Sequence, residues 1–227
     1  MKTNNPLICK LLEFKASNDI DQLTVEFREI AEYILLRGHL SVDFGIGKGY
    51  DIYLRDVEFF FHDEKDLSSN GKRPIKDYVV YHRNNHKNFN PSKKEKRICK
   101  YLPVGSFYGH FSGIDLTFEN EQKQYRASIL IRNFTVIDKE YRKEPIYENR
   151  PTYLYEYFIP NLERCISWVE DDDIQDASNK IKSLPRKNVF LYLSDDKFNP
   201  TKSKQPDKRM WQFKRNIIYR KNIDLKI

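Results

Sequence analysis

The sequence predicts a mixed α+β domain, and three observations predict it. An apolar stripe of helical period runs through residues 6–38. Short runs rich in aromatic and β-branched residues follow from residue 39 onward. No internal repeat or linker divides the 227 residues, so one domain spanning 1–227 is expected.

The helical region comes first. Pro6 suits a first helical position, and Leu7, Leu11, Leu12 and Phe14 follow at near-helical spacing. Ser17-Asn18-Asp19 is a capping-type cluster, after which Leu23, Phe27, Ile30, Ala31, Ile34 and Leu35 line one face. Gly38 is the expected stop. Residues 39–44 and 50–61 then read as strands. The Gly45-Ile46-Gly47-Lys48-Gly49 run between them invites a nucleotide-binding reading, but both flanks are strand-like and no helix N-terminus follows to receive a phosphate. A hairpin loop is expected there.

Residues 62–100 are polar and are expected to form two loops around a short strand at 78–81. Segments 105–118 and 125–137 read as strands, and 151–169 as a helix on the spacing of Leu154, Phe158, Leu162, Ile166 and Val169. Asp171-Asp172-Asp173 reads as a solvated turn. Strands are expected at 190–193 and 211–219, around a loop at 194–209.

Composition narrows the setting. Hydrophobic residues at 39% and charged residues at 32% describe a folded chain rather than a disordered one. No apolar run approaches the roughly 18–20 residues of a membrane span, and the N-terminal apolar stretch is shorter than a secretory h-region, so a cytoplasmic protein is expected. Cys9, Cys99 and Cys165 form no CxxC pair, which fits a reducing compartment. The net charge of +7 fits two readings, a polyanion partner such as nucleic acid or a merely basic protein. The 15 Tyr and 15 Phe either build a large core or offer faces on which bases stack.

Asp51-Ile52-Tyr53-Leu54-Arg55-Asp56-Val57-Glu58-Phe59-Phe60-Phe61 is the segment richest in chemistry. A strand period of two places Ile52, Leu54, Asp56, Glu58 and Phe60 on one face. Beside apolar neighbours the Glu58 carboxyl would lose water, and its pKa would rise toward that of a useful base. The alternative is an edge strand, or a bulge near Asp56 that turns Glu58 to solvent. His39, His62, His82, His86 and His110 show no metal-ligand spacing, so no metal is expected. Gly105, Gly109 and Gly113, around His110, either leave room for a flat ligand or mark bulges and turns.

Taken in order, these motifs resemble the alkyladenine (3-methyladenine) DNA glycosylase family. Ala31-Glu32-Tyr33-Ile34-Leu35-Leu36 with Leu40 resembles the family's opening helix, and Val57-Glu58-Phe59-Phe60 its Glu-Ala-Tyr strand. Pro103-Val104-Gly105-Ser106-Phe107-Tyr108 resembles its Pro-Gly-x-x-Tyr strand. Leu130-Ile131-Arg132-Asn133-Phe134 is similar to its Leu-Leu-Arg-Ala-Leu segment. Leu184-Pro185-Arg186 and Trp211-Gln212-Phe213 are similar to its Pro-Arg and Trp-Arg-Phe elements, so the match runs from about residue 31 to 215.

The resemblance implies a mostly antiparallel sheet flanked by helices, and a glycosylase that removes damaged purines from double-stranded DNA without cofactor or metal. Glu58 would activate water. Phe60, His82, Tyr108 and His110 would hold the flipped base, and Arg83, Lys93, Lys94 and Arg132 would serve phosphate contacts or site electrostatics. Two departures stand out. The family's duplex-wedging Tyr falls near Ser112-Gly113, and its Glu-x-Glu-Ala-Tyr is reduced to Asp-Val-Glu-Phe-Phe. They motivate the alternative of a catalytically silent module that binds nucleic acid, and beside it an interaction domain with no nucleic-acid role.

Overall fold

The computed structural model describes residues 5–65, 74–77, 79–84, 98–140, 143–158, 166–171, 181–186, 190–192 and 204–215. Among them two helices lead the chain, α1 (Pro6–Leu12) and α2 (Ile20–Leu36). Asn5 caps α1 by accepting the Leu7 N–H, and Asp19 caps α2 by accepting from Asp21 and Gln22. Strands β1 (Gly38–Gly45) and β2 (Lys48–Asp63) form the expected hairpin, whose turn uses positive φ at Gly45, Ile46 and Gly47. Gly38 opens β1 rather than closing α2. A side chain there would strike the Val169 carbonyl and the Trp168 ring.

The expected strand at 105–118 is two strands, β3 (Phe107–His110) and β4 (Gly113–Thr117), joined by a tight turn at Phe111-Ser112. After them come β5 (Tyr125–Asp138), β6 (Ile146–Glu148), a 3-10 turn at Pro151–Tyr153 and the short α3 (Leu154–Phe158). The remaining strands are β7 (Ile166–Glu170), β8 (Ile181–Leu184), β9 (Phe190–Tyr192), β10 (Lys204–Pro206) and β11 (Gln212–Arg215). Nine strands make one antiparallel sheet with the order β3-β4-β5-β2-β1-β7, extended by β11 and β8 beside β2 and by β6 beside β5. β9 and β10 pair separately. The fold is therefore α+β, a mostly antiparallel sheet flanked by a few helices. No helix among the described residues is long and apolar enough to cross a membrane.

Two further expectations are corrected. The helix expected over 151–169 is confined to Leu154–Phe158, and Ile166–Glu170 is a strand paired with β1 that turns Trp168 inward onto Tyr33. Residues 79–84 form turns rather than a strand, with Val80 packed on Phe60 and Leu130, and residue 78 lies outside the described residues. Asp171, half-buried after β7, lies 2.9 Å from His39, and Asp172 and Asp173 lie outside the described residues.

Both faces of the sheet are used. α1, α2 and α3 cover one face with an aromatic core centred on Phe27, which stacks on Phe59 at 4.7 Å and Phe14 at 5.6 Å and meets Trp211 edge-on at 5.0 Å. Leu40, Ile52, Leu54, Phe134 and Val136 belong to this core, and so do Val57, Phe59, Phe61, Ile129 and Ile131. Between Leu54 and Val57, and between Ile131 and Phe134, the alternation slips by one residue. The pairing of β2 with β5 is irregular at the same place. These facing bulges send Asp56, Glu58, Phe60 and His62 to the second face, together with Arg126, Ser128, Leu130 and Arg132.

Candidate active site

The second face carries the chemistry, and strand register sets its layout. One row crosses six neighbouring strands through direct partners, in the order Tyr108, Asp115, Leu130, Glu58, Gln212 and Leu184. Thr117, Ser128 and Phe60 form the adjacent row. Chain from outside the sheet closes over both. Val80 packs on Phe60 and Leu130, and the Arg186 guanidinium lies 4.8 Å from the centre of the Phe60 ring.

Glu58 is 0% exposed. The bulge near Asp56 does occur, so Glu58 does not share a face with Ile52 and Leu54, yet the covering residues keep it from water. Arg132 donates from Nε to Glu58 Oε2 at 2.5 Å and also pairs with it through Nη2. Glu58 Oε1 has no hydrogen-bond partner among the described residues. Loss of hydration pushes the Glu58 pKa up to about 7; the charges of Arg132 and Arg186 oppose that rise, and Asp56 adds to it. Arg132, which pairs with Glu58, and Gln212, which faces it on β11, line a cavity of about 530 Å3 with Asp56, Asn133, Asn149 and Arg186.

A second cluster lies across Leu130. His82 pairs through Nδ1 with Glu119, and its Nε2 sits 4.0 Å from Asp115 Oδ2. Asp115 Oδ2 accepts from Ser128 Oγ at 2.9 Å, and Oδ1 lies 3.1 Å from His110 Nε2. The Ser112 N–H donates to His110 Nδ1 at 3.2 Å, which leaves the ring proton on Nε2, facing Asp115. Tyr81 stacks on His110 at 4.3 Å, and Tyr108 meets His82 edge-on at 5.3 Å. Beneath the cluster the fully buried Arg126 donates to Glu64, Glu119, Lys100 O, Cys99 O and Asn84. All five of its N–H groups are thereby occupied.

The fold thus brings Arg132 to Glu58 and gathers His82, Tyr108 and His110 into one cluster. Phe60 stands apart from that cluster, against Arg186, Val80 and Leu130. Arg83 is buried and donates to the Asn84 carbonyl at 2.9 Å, while Lys93 and Lys94 lie outside the described residues. The space around the glycines near His110 is filled from within. A side chain at Gly109 would meet the Tyr155 hydroxyl, which donates to the carbonyls of His110 and Gly113. Gly105 and Gly113 take positive φ, as turn residues do.

Sequence reasoning missed Asp115, Glu119, Gln212 and Asp77. The first two carried a readable signal, because Asp115, Thr117 and Glu119 alternate with the apolar Ile114, Leu116 and Phe118. Phe111 was also passed over; it is 74% exposed at the β3–β4 turn and touches Tyr81 edge-on at 5.1 Å.

No protein-family model matches the chain, and no curated protein and no solved structure matches it significantly.

Proposed function

We propose that this protein is a cytoplasmic DNA base-excision glycosylase that hydrolyses the N-glycosidic bond of alkylated or otherwise damaged purines in double-stranded DNA. The observation that carries the reading is Glu58, a fully buried carboxyl with a pKa near 7, held by Arg132 on one oxygen and unpartnered on the other. A base of that strength is matched to work at neutral pH. In the reaction Oε1 takes a proton from water, and the water oxygen attacks C1′ as the bond to the base breaks. Arg132 fixes the carboxylate and steadies its charge. An alkylated purine is cationic and leaves readily, so the step needs no metal.

The ordered resemblance to the alkyladenine glycosylases supports this reading, and the antiparallel sheet flanked by helices is compatible with their fold. Phe111 is open to solvent against Tyr81 and His110, a placement that suits an apolar wedge. The basic chain suits a phosphate backbone.

One observation favours a second reading, a catalytically silent nucleic-acid-binding module. Arg186 and Val80 cover Phe60, and Glu58 has no exposed surface. The deciding experiment incubates the protein with duplex and single-stranded DNA carrying a methylated purine or hypoxanthine, and measures free base with Glu58→Gln alongside. Release by the wild type and its loss in the variant are expected. Full activity in Glu58→Gln sinks the assignment of the base, and tight salt-sensitive binding without release selects the silent module.

A further inference from the structure

β1 pairs with β2 as far as Ile52, and β11 takes over the same edge of β2 at Asp56. Tyr53, Leu54 and Arg55 therefore face a seam between two partner strands, with β5 along their other side. Because β11 runs antiparallel to β2 and Lys214 pairs with Asp56, Arg215 comes beside Arg55 at this seam. Both arginines are half-buried, and their hydrogen bonds go to neutral acceptors. Arg55 donates from Nε to Thr135 Oγ1 at 3.1 Å, with its guanidinium 5.8 Å from the centre of the Tyr53 ring. Arg215 donates from Nη1 to the Leu35 carbonyl at 3.3 Å, at the end of α2. Both Nη groups of Arg55, and Nε and Nη2 of Arg215, have no partner among the described residues. Charge is left over as well. Asp51 and Asp171 flank His39 at 3.4 and 2.9 Å, and Lys139 reaches Asp51 at 3.7 Å. With His39 protonated, these four groups balance. Arg55 and Arg215 then add two positive charges. Burial holds both below the ordinary arginine pKa, and Arg215 lowers Arg55 further. Like charges side by side on neighbouring strands destabilise a sheet, and an anion between them removes that cost.

We propose that the seam between β1 and β11 binds a dianionic phosphate group, carried by free inorganic phosphate or by a phosphomonoester. The match is one of number and of shape. A phosphomonoester carries about −1.5 to −2 charges at neutral pH and three acceptor oxygens, against the two unanswered guanidiniums. An internal phosphodiester of a nucleic acid carries a single charge and leaves half of that excess in place. The donors left open on Arg55 and Arg215 are forked, and such forks meet phosphate oxygens in pairs. Arg55 lies on the far side of Asp56 from Glu58, and the proposal stands independently of the glycosylase reading.

The test is isothermal titration of the whole protein with inorganic phosphate at neutral pH and low salt. Methyl phosphate follows, and then an oligonucleotide with hydroxyl ends, whose phosphates are all diesters. The wild type should bind inorganic phosphate saturably, and Arg55→Gln and Arg215→Gln should each weaken that binding about tenfold, the scale of one lost charged hydrogen bond. Phosphate should raise the melting temperature of the wild type and leave that of Arg55→Gln unchanged. Without phosphate, Arg55→Gln should melt no lower than the wild type, because it removes one of two opposed charges. Tighter binding of inorganic phosphate than of methyl phosphate supports the free ion as the ligand, and the reverse order supports a phosphorylated one. Absence of saturable binding overturns the proposal, as does binding unchanged in both variants. An oligonucleotide that depends on the same two arginines and binds as tightly as inorganic phosphate overturns it too. If Arg215→Gln fails to fold because the Leu35 contact is lost, Arg55→Gln decides.

Discussion

Asp56 and Glu58 stand two residues apart on the same face of β2, yet the amide they share serves only Asp56. Gln212 lies directly across from Glu58, but its Nε2 reaches back to both oxygens of Asp56, at 2.9 and 3.0 Å. Asn133 adds a second donor to Asp56 at 3.3 Å. Glu58 receives Arg132 on Oε2 and nothing among the described residues on Oε1. One carboxylate is thus solvated by amides, while the other keeps an oxygen without a partner among the described residues.

The Glu58 pKa is raised, from 4.5 to about 7, so its effect on stability has a definite sign. The folded protein holds this proton more tightly than the unfolded chain. The contribution is complete below about pH 4.5 and is lost as pH rises through about 7, by roughly 3 kcal/mol. Urea unfolding of the wild type and Glu58→Gln across this range should show the variant gaining relative stability as pH rises. Parallel curves would contradict the burial argument. On the proposed reading, in which the Glu58 carboxylate activates water, release of 7-methylguanine should climb over the same interval.

Phe111 lies outside the core and sits on the tight turn between β3 and β4. Phe111→Ala should leave unfolding free energy within about 0.5 kcal/mol of the wild type, as surface changes usually do. Its affinity for lesion-bearing duplex should fall at least tenfold, and its affinity for the single strand much less. Anisotropy titrations on the two DNAs check this, and equal losses on both would remove the wedge role.

Arg186 is fully buried and joins Asp77 to Asp207, donating to Asp77 Oδ2 at 2.5 Å and to Asp207 Oδ2 from Nε at 2.6 Å. Arg209 leans on the same two carboxylates from above the Trp211 ring, at 4.0 Å. Arg186→Met keeps the bulk but leaves two buried acids short of a cation. It should cost about 3–5 kcal/mol in equilibrium unfolding. A loss under 1 kcal/mol would mean that Arg209 alone can hold the pair.

His39 is flanked by Asp171 at 2.9 Å and Asp51 at 3.4 Å, and Tyr53 covers its ring. Burial works against its charge, but the two carboxylates together outweigh burial and raise its pKa above 6.5. The ion contributes fully below that value, and its contribution disappears as pH rises through the folded pKa. Wild-type stability should therefore decline above pH 6.5 relative to His39→Gln. A variant with the same decline would exclude His39 as its source.

Much of this architecture is legible along the chain. α2 is written in Leu23, Phe27, Ile30, Ala31, Ile34 and Leu35, and its cap in Asp19, because helical spacing and capping are local properties. β7 is not legible, because Phe158, Leu162, Ile166 and Val169 keep a spacing that a helix also satisfies; pairing with β1 decides, and pairing is not local. The bulge near Asp56 is legible only as an alternative, because the alternating pattern of β2 fits a regular strand as well; pairing with β5 decides, and Glu58 goes to the opposite face from Ile52. Glu58 is singled out by the pattern of its strand, and Arg132 and His82 by the resemblance, whereas the link from Glu119 through His82 to Asp115 depends on chain that crosses the sheet from outside it.

Arg126 has a consequence of another kind. Its Nη2 grips the Cys99 carbonyl at 2.6 Å and the Asn84 side chain at 3.4 Å, and the Cys99 N–H returns to that same Asn84 oxygen at 2.8 Å. A single guanidinium thus fastens Asn84 and Cys99, 15 residues apart in the sequence, to one point of β5. Mooring of that kind couples two distant stretches of chain, so a change at Arg126 would loosen both together.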